Sequence, residues 1–450
     1  MGIIKSYLKT TAPYQILVMG YMLVTITSAF LLSLPISSAK GQWQNFTDAL
    51  FVAVSGISTS GLTVVDIGSY YSLFGQIVLL CTFQIGGIGY MTFILFFSYA
   101  FGLRTSLITQ IVARESLASP DLRALGKFFF ATLNFTILFE FLGAFALTLL
   151  WMEEFPLLRS IYLAVFHSVS AFCTAGFGLF SDSLMRWRDN FPVNMTINVV
   201  SLAGGIGFFV LYDIYLYLKK IVKPDVNRRI SVHSRLVLIF TVSIILFGTY
   251  VIFMTEQWDT SINIPQRVMI SAFQSISAST TDGFNTVDIN KMGPASQTML
   301  MALMFVGAGP GSTGGGIKTS TLFVILLFLW ALFKGRDDNV NIFRREIPSS
   351  TIRKAFGVFG WFVLIILIDM LIMVATEHAT YSQILFEIIS ALGNTGLSTG
   401  ITANLGLMGK IMLIITMFIG RVGQLTIGFS LVGSQKPLGF RYMKEDIFVG

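Results

Sequence analysis

A serine followed six residues later by a glycine occurs four times at near-even intervals: Ser55 and Gly61, Ser170 and Gly176, Ser277 and Gly283, Ser390 and Gly396. The four glycines lie 115, 107 and 113 residues apart. A tandem period of this length exceeds the usual solenoid repeats, so one unit of roughly a quarter of the chain has been used four times. The stretches VSGISTSGLTVVD, VSAFCTAGFGLFSD, ISASTTDGFNTVD and ISALGNTGLSTG share one plan. Each is a small-residue helical segment that breaks at Thr or Asn, runs into the glycine and resumes at Leu or Phe.

The solvent for these units is lipid. With 54% hydrophobic and 12% charged residues and a mean hydropathy of +0.75, the 450-residue chain carries more apolar surface than a soluble core can hide. The stretch 67–103 holds no charged residue, and comparable runs occupy 14–34, 128–152, 190–218, 236–255, 294–333, 355–376 and 411–433. Each reaches the roughly 20 residues a helix needs to cross ~30 Å of hydrocarbon. The first run, behind Lys5 and Lys9, is longer than a signal-peptide core and lacks a convincing cleavage site before Lys40, so it reads as a retained helix. Segments between runs, such as Phe46–Ser58 and 267–279, are too short to span and read as re-entrant half-helices.

The expected fold class is therefore an all-α integral membrane protein. Four tandem repeats of helix, re-entrant loop and helix, giving eight transmembrane helices, surround a pseudo-fourfold central pore. The repeats fall at 1–103, 104–220, 221–335 and 336–433, with loops near 46–66, 159–181, 267–288 and 381–399 and a tail at 434–450. The N-terminus, the segments 101–127, 219–235 and 334–354, and the tail hold 21 Lys and Arg, against seven on the other side. By the positive-inside rule both termini are cytoplasmic, the half-helices enter from outside, and the protein sits in the plasma membrane.

The net charge of +7 is then a topogenic and lipid-facing signal. Nucleic-acid binding would need that charge gathered on a soluble domain, and no loop is long enough to form one. Cys81 and Cys173 lie in apolar segments, and His167, His233 and His378 share no metal-like spacing. No catalytic constellation and no covalently bound cofactor is indicated.

Non-helical backbone at membrane depth needs protein, water or ions as partners. A half-helix entering from outside aims the negative end of its dipole at mid-membrane, and four such ends favour a cation. Glycine permits the positive φ that turns successive carbonyls inward. The expected carbonyl donors are Thr59, Ser60 and Gly61; Thr174, Ala175 and Gly176; Thr281, Asp282 and Gly283; Asn394, Thr395 and Gly396. The carboxylate of Asp282, whose counterparts are Ser60, Ala175 and Thr395, is expected to bond loop amides rather than the ion.

A second register follows each glycine: Gly86-Gly-Ile-Gly89, Gly204-Gly-Ile-Gly207, Gly315-Gly-Ile-Lys318 and Gly420-Arg-Val-Gly423. In the third repeat the run from Gly307 through Gly309, Gly311, Ser312, Thr313, Gly314 and Gly315 to Gly316 is seven-tenths glycine or proline. It cannot hold a helix, since each glycine costs ~1 kcal/mol and proline ~3 relative to alanine. It reads as an unwound loop in a watery cavity, a natural gate, and it does not match a phosphate-binding loop. The fourth repeat puts Arg421 where the others have Gly87, Gly205 and Gly316; beneath the four loops its guanidinium would oppose an unsheltered cation and bond the loop's carbonyls. Lys318 either joins this gate or snorkels. Glu140, Asp213, Asp369 and Glu387 are expected to hydrogen-bond to neighbouring repeats rather than couple ions.

Four non-identical repeats with one glycine per loop, together with the TTDGFN and GPGSTGGGIKT stretches, resemble the Trk/Ktr/HKT superfamily of potassium transporters, over essentially the whole chain. Within it the chain is most similar to membrane subunits of the Ktr (KtrB) kind. The resemblance implies K⁺ uptake, Na⁺ as a coupling or activating ion, a homodimer with one pore per subunit, and a cytoplasmic ring of nucleotide-binding regulatory subunits. One glycine per loop, against two in tetrameric K⁺ channels, implies fewer carbonyl rings and modest selectivity over Na⁺. Two alternatives stay open: a self-contained K⁺/Na⁺ conductor without a soluble partner and, more remotely, a membrane enzyme. The orientation is directly testable: a reporter that is active only in the cytoplasm, fused after Gly450, is expected to be active, and one inserted at Lys40 to be silent.

Overall fold

The computed structural model describes residues 13–89, 125–222, 229–335, 340–343 and 345–432. The basic N-terminus, most of the segment 101–127 and the tail 434–450 lie outside them. The described chain is almost entirely helical. In order come α1 (Pro13–Ser33), α2 (Phe46–Ser58), α3 (Leu73–Ile88), α4 (Leu125–Trp151), α5 (Leu157–Phe172), α6 (Phe191–Ile206), α7 (Phe208–Val222) and α8 (Val232–Thr255). There follow α9 (Ile264–Thr280), α10 (Pro294–Val306), α11 (Thr319–Phe333), α12 (Ser349–Thr376), α13 (Tyr381–Gly393) and α14 (Leu407–Val432). A two-residue antiparallel hairpin, Asn341–Ile342 with Arg345–Glu346, lies between α11 and α12.

Local chemistry sets the helix starts. The Asn45, Ser72, Asn190 and Ser231 side chains each accept from a first-turn amide. Asn263 with Gln266 and Thr380 with Gln383 form reciprocal capping boxes at α9 and α13.

Among the described residues, Phe128–Trp151, Val232–Thr255 and Ser349–Thr376 are long and apolar enough to cross a membrane unaided. Their outward faces carry bare large side chains, including Phe141, Leu246, Phe247 and Leu371, which suits lipid and not water. The stretch 190–218, expected as one span, is bent by 99° between α6 and α7. The cause is Gly207, at φ 107° and ψ 137°, whose successor's amide bonds to Gly311 instead of continuing the helix. The uncharged run 67–103 begins its long helix only at Leu73, and α3 ends at Ile88 before Gly89 at φ 86°.

The core lies where the repeats meet. Phe51, Phe83 and Leu79 of the first repeat pack with Phe166 and Phe177 of the second and with Met373, Ile388 and Met417 of the fourth. Phe172 and Ile197 pack with Phe273 and Phe284. Within a repeat, the second helix closes on the end of the short helix through glycine. A Cβ on Gly86, Gly204 or Gly420 would run into the carbonyl oxygen of Ile57, Phe172 or Leu392 respectively. Gly204→Ala is therefore expected to cost on the order of 1–3 kcal/mol, seen as a lower unfolding midpoint in detergent. Gly360→Ala, whose new methyl meets nothing within 4 Å, should leave that midpoint unchanged or raise it.

Candidate ion pathway

The four short helices α2, α5, α9 and α13 end in the same turn. Thr59, Thr174, Thr281 and Asn394 have φ of 55°, 49°, 57° and 50°, and Gly61, Gly176, Gly283 and Gly396 have φ of 83°, 65°, 89° and 88°. Left-handed backbone is uncommon for any β-branched residue, so its recurrence at three threonines marks a constraint stronger than local preference. The turn is closed by backbone bonds from Ser60, Ala175, Asp282 and Thr395 amides to the carbonyls of Ser55, Ser170, Ser277 and Ser390, at 2.8–2.9 Å. The repeated serine thus sits at the other end of the bond that closes each turn. Its hydroxyl helps in two copies: Ser277 Oγ donates to Phe284 O at 2.6 Å and Ser390 Oγ accepts from Gly396 N at 3.1 Å.

The four turns form a closed ring. A Cβ on Gly61 or Gly176 would come to 2.5 Å from the carbonyl oxygen of Ala175 or Asp282. One on Gly283 or Gly396 would collide with that of Thr395 or Ser60. Each glycine therefore faces the next repeat in the order one, two, three, four, one. Thr59, Ser60, Thr174, Ala175, Thr281, Asp282, Asn394 and Thr395 are buried. Among the described residues no hydrogen bond is donated to a carbonyl of any of the twelve ring residues. Buried carbonyls are ordinarily paired; these lack a protein donor at the ends of four helices, where the helix dipoles are negative.

Asp282 departs from its sequence expectation. Its carboxylate is buried, and no loop amide donates to either oxygen; the hydroxyl of Ser201 on α6 faces it.

Beneath the ring lies the unwound segment 307–318, stitched to all four repeats. Gly309 N donates to Gly205 O at 2.8 Å, and Thr313 N to Gly204 O at 3.2 Å. Gly311 O accepts from Phe208 N at 2.9 Å, and Ala308 N donates to Gly315 O at 3.2 Å. The left-handed threonines hold it from above: Thr59 Oγ1 lies 3.3 Å from Thr313 O, Thr174 Oγ1 3.1 Å from Thr313 Oγ1, and Gly315 N donates to Thr281 Oγ1 at 2.9 Å. Gly307 and Gly316 touch backbone to backbone, their Cβ positions being occupied by one another's Cα. Pro310, Gly311 and Ser312 are the half-buried crest of the segment.

Arg421 enters from α14. Nη1 donates to Thr313 O and, at 3.4 Å, to Gly314 O; Nη2 donates to Gly86 O at 2.5 Å and Gly87 O at 3.3 Å. In the other repeats the position is a glycine pressed on the next short helix, Gly87 on Cys173 and Gly205 on Thr280. In the unwound third repeat Gly315, not Gly316, takes this place, against Asn394. Lys318 does not snorkel: its Nζ turns inward to Gly314 O at 2.5 Å and Gly315 O at 3.4 Å. Among the described residues neither basic side chain has an acidic partner, and both donate to Gly314 O.

Lys318 also carries strain. With φ 86° and ψ 135° it repeats the backbone of Gly89 (86°, 127°) and Gly207 (107°, 137°) with a side chain attached. Of the remaining acids, Glu140 and Asp213 bond to a neighbouring repeat as expected, whereas Asp369 and Glu387 find their donors within their own repeat. Glu140 accepts from Gln84, Asp213 from Ser231 N, Asp369 from Thr416, and Glu387 from Ser398, Thr399 and Thr402. The node that sequence reasoning left undistinguished within the gate stretch is Thr313, and only its contacts to three repeats single it out.

The long apolar helices and the match to a cation-transport family make this a membrane-spanning cation transporter and not an enzyme. The chain belongs to the TrkH family of cation transport proteins, whose model matches residues 4–433. It is 34% identical over 440 residues to the Ktr system potassium uptake protein B of Vibrio alginolyticus, covering 97% of this chain and 94% of that protein. It is 34% identical over 442 residues to the protein of the same name from Bacillus subtilis, with 97% of each covered. It is also 32% identical to the potassium/sodium uptake protein NtpJ of Enterococcus hirae, with 99% of each chain covered. The crystal structure of the potassium transporter TrkH from Vibrio parahaemolyticus shares the fold, with a TM-score of 0.67 over 92% of this chain and 84% of that one at 20% identity.

The strain at Lys318 can be read thermodynamically. Lys318→Gly and Lys318→Ala both lose the ammonium, but only glycine accepts φ 86° freely. The glycine variant is expected to be more stable by about 1 kcal/mol, measured as the difference in unfolding midpoint between the two purified variants.

Proposed function

We propose that this chain takes up potassium through a central pore whose selectivity filter is the carbonyl ring of residues 59–61, 174–176, 281–283 and 394–396. The carrying observation is that these residues, nine of them buried and Gly61, Gly176 and Gly396 half-buried, stand at four helix ends in one closed ring and, among the described residues, their carbonyls accept no hydrogen bond, so an ion is the partner they lack. The printed functions of the relatives, potassium uptake and potassium/sodium uptake, agree with that chemistry. The four repeats 1–103, 104–220, 221–335 and 336–433 would each contribute two spans and one re-entrant loop.

The segment 307–316 is then the gate, with Arg421 and Lys318 its electrostatic part. An ion leaving the filter meets Thr313 and two cations, and conduction requires the segment and the guanidinium to withdraw together. Sodium acts as a coupling or activating ion, which the name of the Enterococcus relative supports. The transporter works as a homodimer in the plasma membrane with both termini cytoplasmic. A cytoplasmic ring of nucleotide-binding subunits controls it through the linkers 219–235 and 334–354, whose basic charge also suits anionic lipid; two of the relatives are named as parts of a Ktr system.

Rubidium and potassium uptake into proteoliposomes tests filter and gate separately. Gly283→Ser, which forces a side chain against Thr395 O, should lower K⁺ uptake and its preference over Na⁺. Arg421→Ala removes charge-assisted bonds worth ~1.5–3 kcal/mol each and should raise flux by about tenfold or more. Unaltered K⁺ preference in the first variant would sink the filter assignment, and unaltered flux in the second would sink the gate.

A further inference from the structure

A second set of residues stands at one fixed offset from each filter glycine. Nine residues before Gly61, Gly176, Gly283 and Gly396 come Val52, His167, Gln274 and Glu387; three residues after come Val64, Leu179, Thr286 and Thr399. All four residues of the first set are fully buried. In three repeats the member on the short helix reaches across and bonds the member on the outgoing loop.

The bonds differ in kind. His167 Nδ1 lies 2.8 Å from Leu163 O, which as a carbonyl can only accept, so Nδ1 carries the proton and Nε2 is free to accept from Leu179 N at 3.3 Å. Gln274 Nε2 donates to Thr286 Oγ1 at 3.2 Å. Glu387 Oε1 accepts from Thr399 N at 2.9 Å, Thr399 Oγ1 at 3.1 Å and Ser398 Oγ at 2.7 Å, while Oε2 accepts from Thr402 Oγ1 at 2.7 Å. In the first repeat Val52 and Val64 share only an apolar cluster.

Each pair closes a loop that starts in the short helix, passes through the filter carbonyls and returns to that helix behind them. Where the strand leaving the glycine is tied down, the carbonyls before it have fewer positions to take. From this geometry we infer that His167, Gln274 and Glu387 are positioning residues for ion selectivity, graded from neutral bonds in the second and third repeats to a carboxylate with four donors in the fourth, the first repeat being held by packing alone. The inference rests on the filter reading. Carbonyls held at fixed spacing discriminate between ions of different radius, and loosened ones adapt to both.

The readout is the ratio of K⁺ to Na⁺ as competitors of rubidium uptake by the full-length protein in proteoliposomes, which a merely structural role would not move. Bonds to a charged group are roughly twice as strong as neutral ones. Glu387→Leu is therefore expected to lower the ratio roughly tenfold, with Glu387→Gln recovering part of the loss. Gln274→Leu and Thr286→Val should each lower it by about threefold to fivefold, and the double variant no further than either single one, since all three remove the same bond. If Glu387→Leu does not assemble, the Gln274 and Thr286 cycle decides alone. Lower rates at an unchanged ratio, or additive losses in the double variant, would overturn the inference. Gly283→Ser run alongside separates the two readings: a shifted ratio there with none in the brace variants removes only the braces, and no shift in either removes the filter as well.

Discussion

The contact on which the rest depends is a glycine Cα set against the carbonyl oxygen of the next repeat, made four times around a closed ring. It has room for hydrogen but not for a methyl group at Gly61, Gly176, Gly283 and Gly396, and it needs positive φ there and at the residue two before. Those two conditions turn the intervening carbonyls away from their own helices and leave them unpaired. In water such groups would be solvated, but at membrane depth the protein must supply a substitute. The capped short helices, the glycine-lined second helices and the cores between repeats all serve to hold four turns at this separation.

Symmetry at the ring makes its breaking below the ring informative. Gly89 and Gly207 end their helices at a positive φ that costs glycine little. At the matching place the third repeat has Lys318, which keeps the backbone angle, and the fourth keeps helix through Gly423. The third repeat can unwind because the second offers the carbonyls of Gly204 and Gly205, the first the hydroxyl of Thr59, and the fourth a guanidinium. Thr313 lies where these meet. A loop bonded mostly through its backbone to three other repeats cannot shift without all of them registering it, which suits a segment whose position decides whether an ion passes.

Much of the site was legible in one sequence because its determinants are short-range. A left-handed turn after a buried helix needs glycine two residues on, and a fourfold site writes that need four times, so the Ser-to-Gly period located all twelve ring residues. The run 307–316 announced its own loss of helix through glycine and proline. Side-chain direction left no such trace. Asp282 was expected to bond loop amides and bonds none, Lys318 could equally have snorkelled, and Val52, His167, Gln274 and Glu387 share an offset without sharing a residue type, so no pattern search over like residues would join them. The bend within the span expected over 190–218 left no trace for a related reason: apolarity reports length in lipid, whereas the 99° bend comes from one glycine whose neighbour's amide is claimed by a distant loop.

By itself, then, the sequence determined the number of units, the solvent they face, where helix must stop and which backbone must turn, since each of these depends on composition or on residues within one turn of each other. Only the tertiary structure decided the order of the turns around the ring, the place of Thr313, the carbonyls taken by Arg421 and Lys318, and the pairing of His167, Gln274 and Glu387 with their loops. Those include contacts between residues far apart in sequence, such as Arg421 with Gly86, 335 positions away, set by how four similar but unequal units pack, and no local preference specifies them.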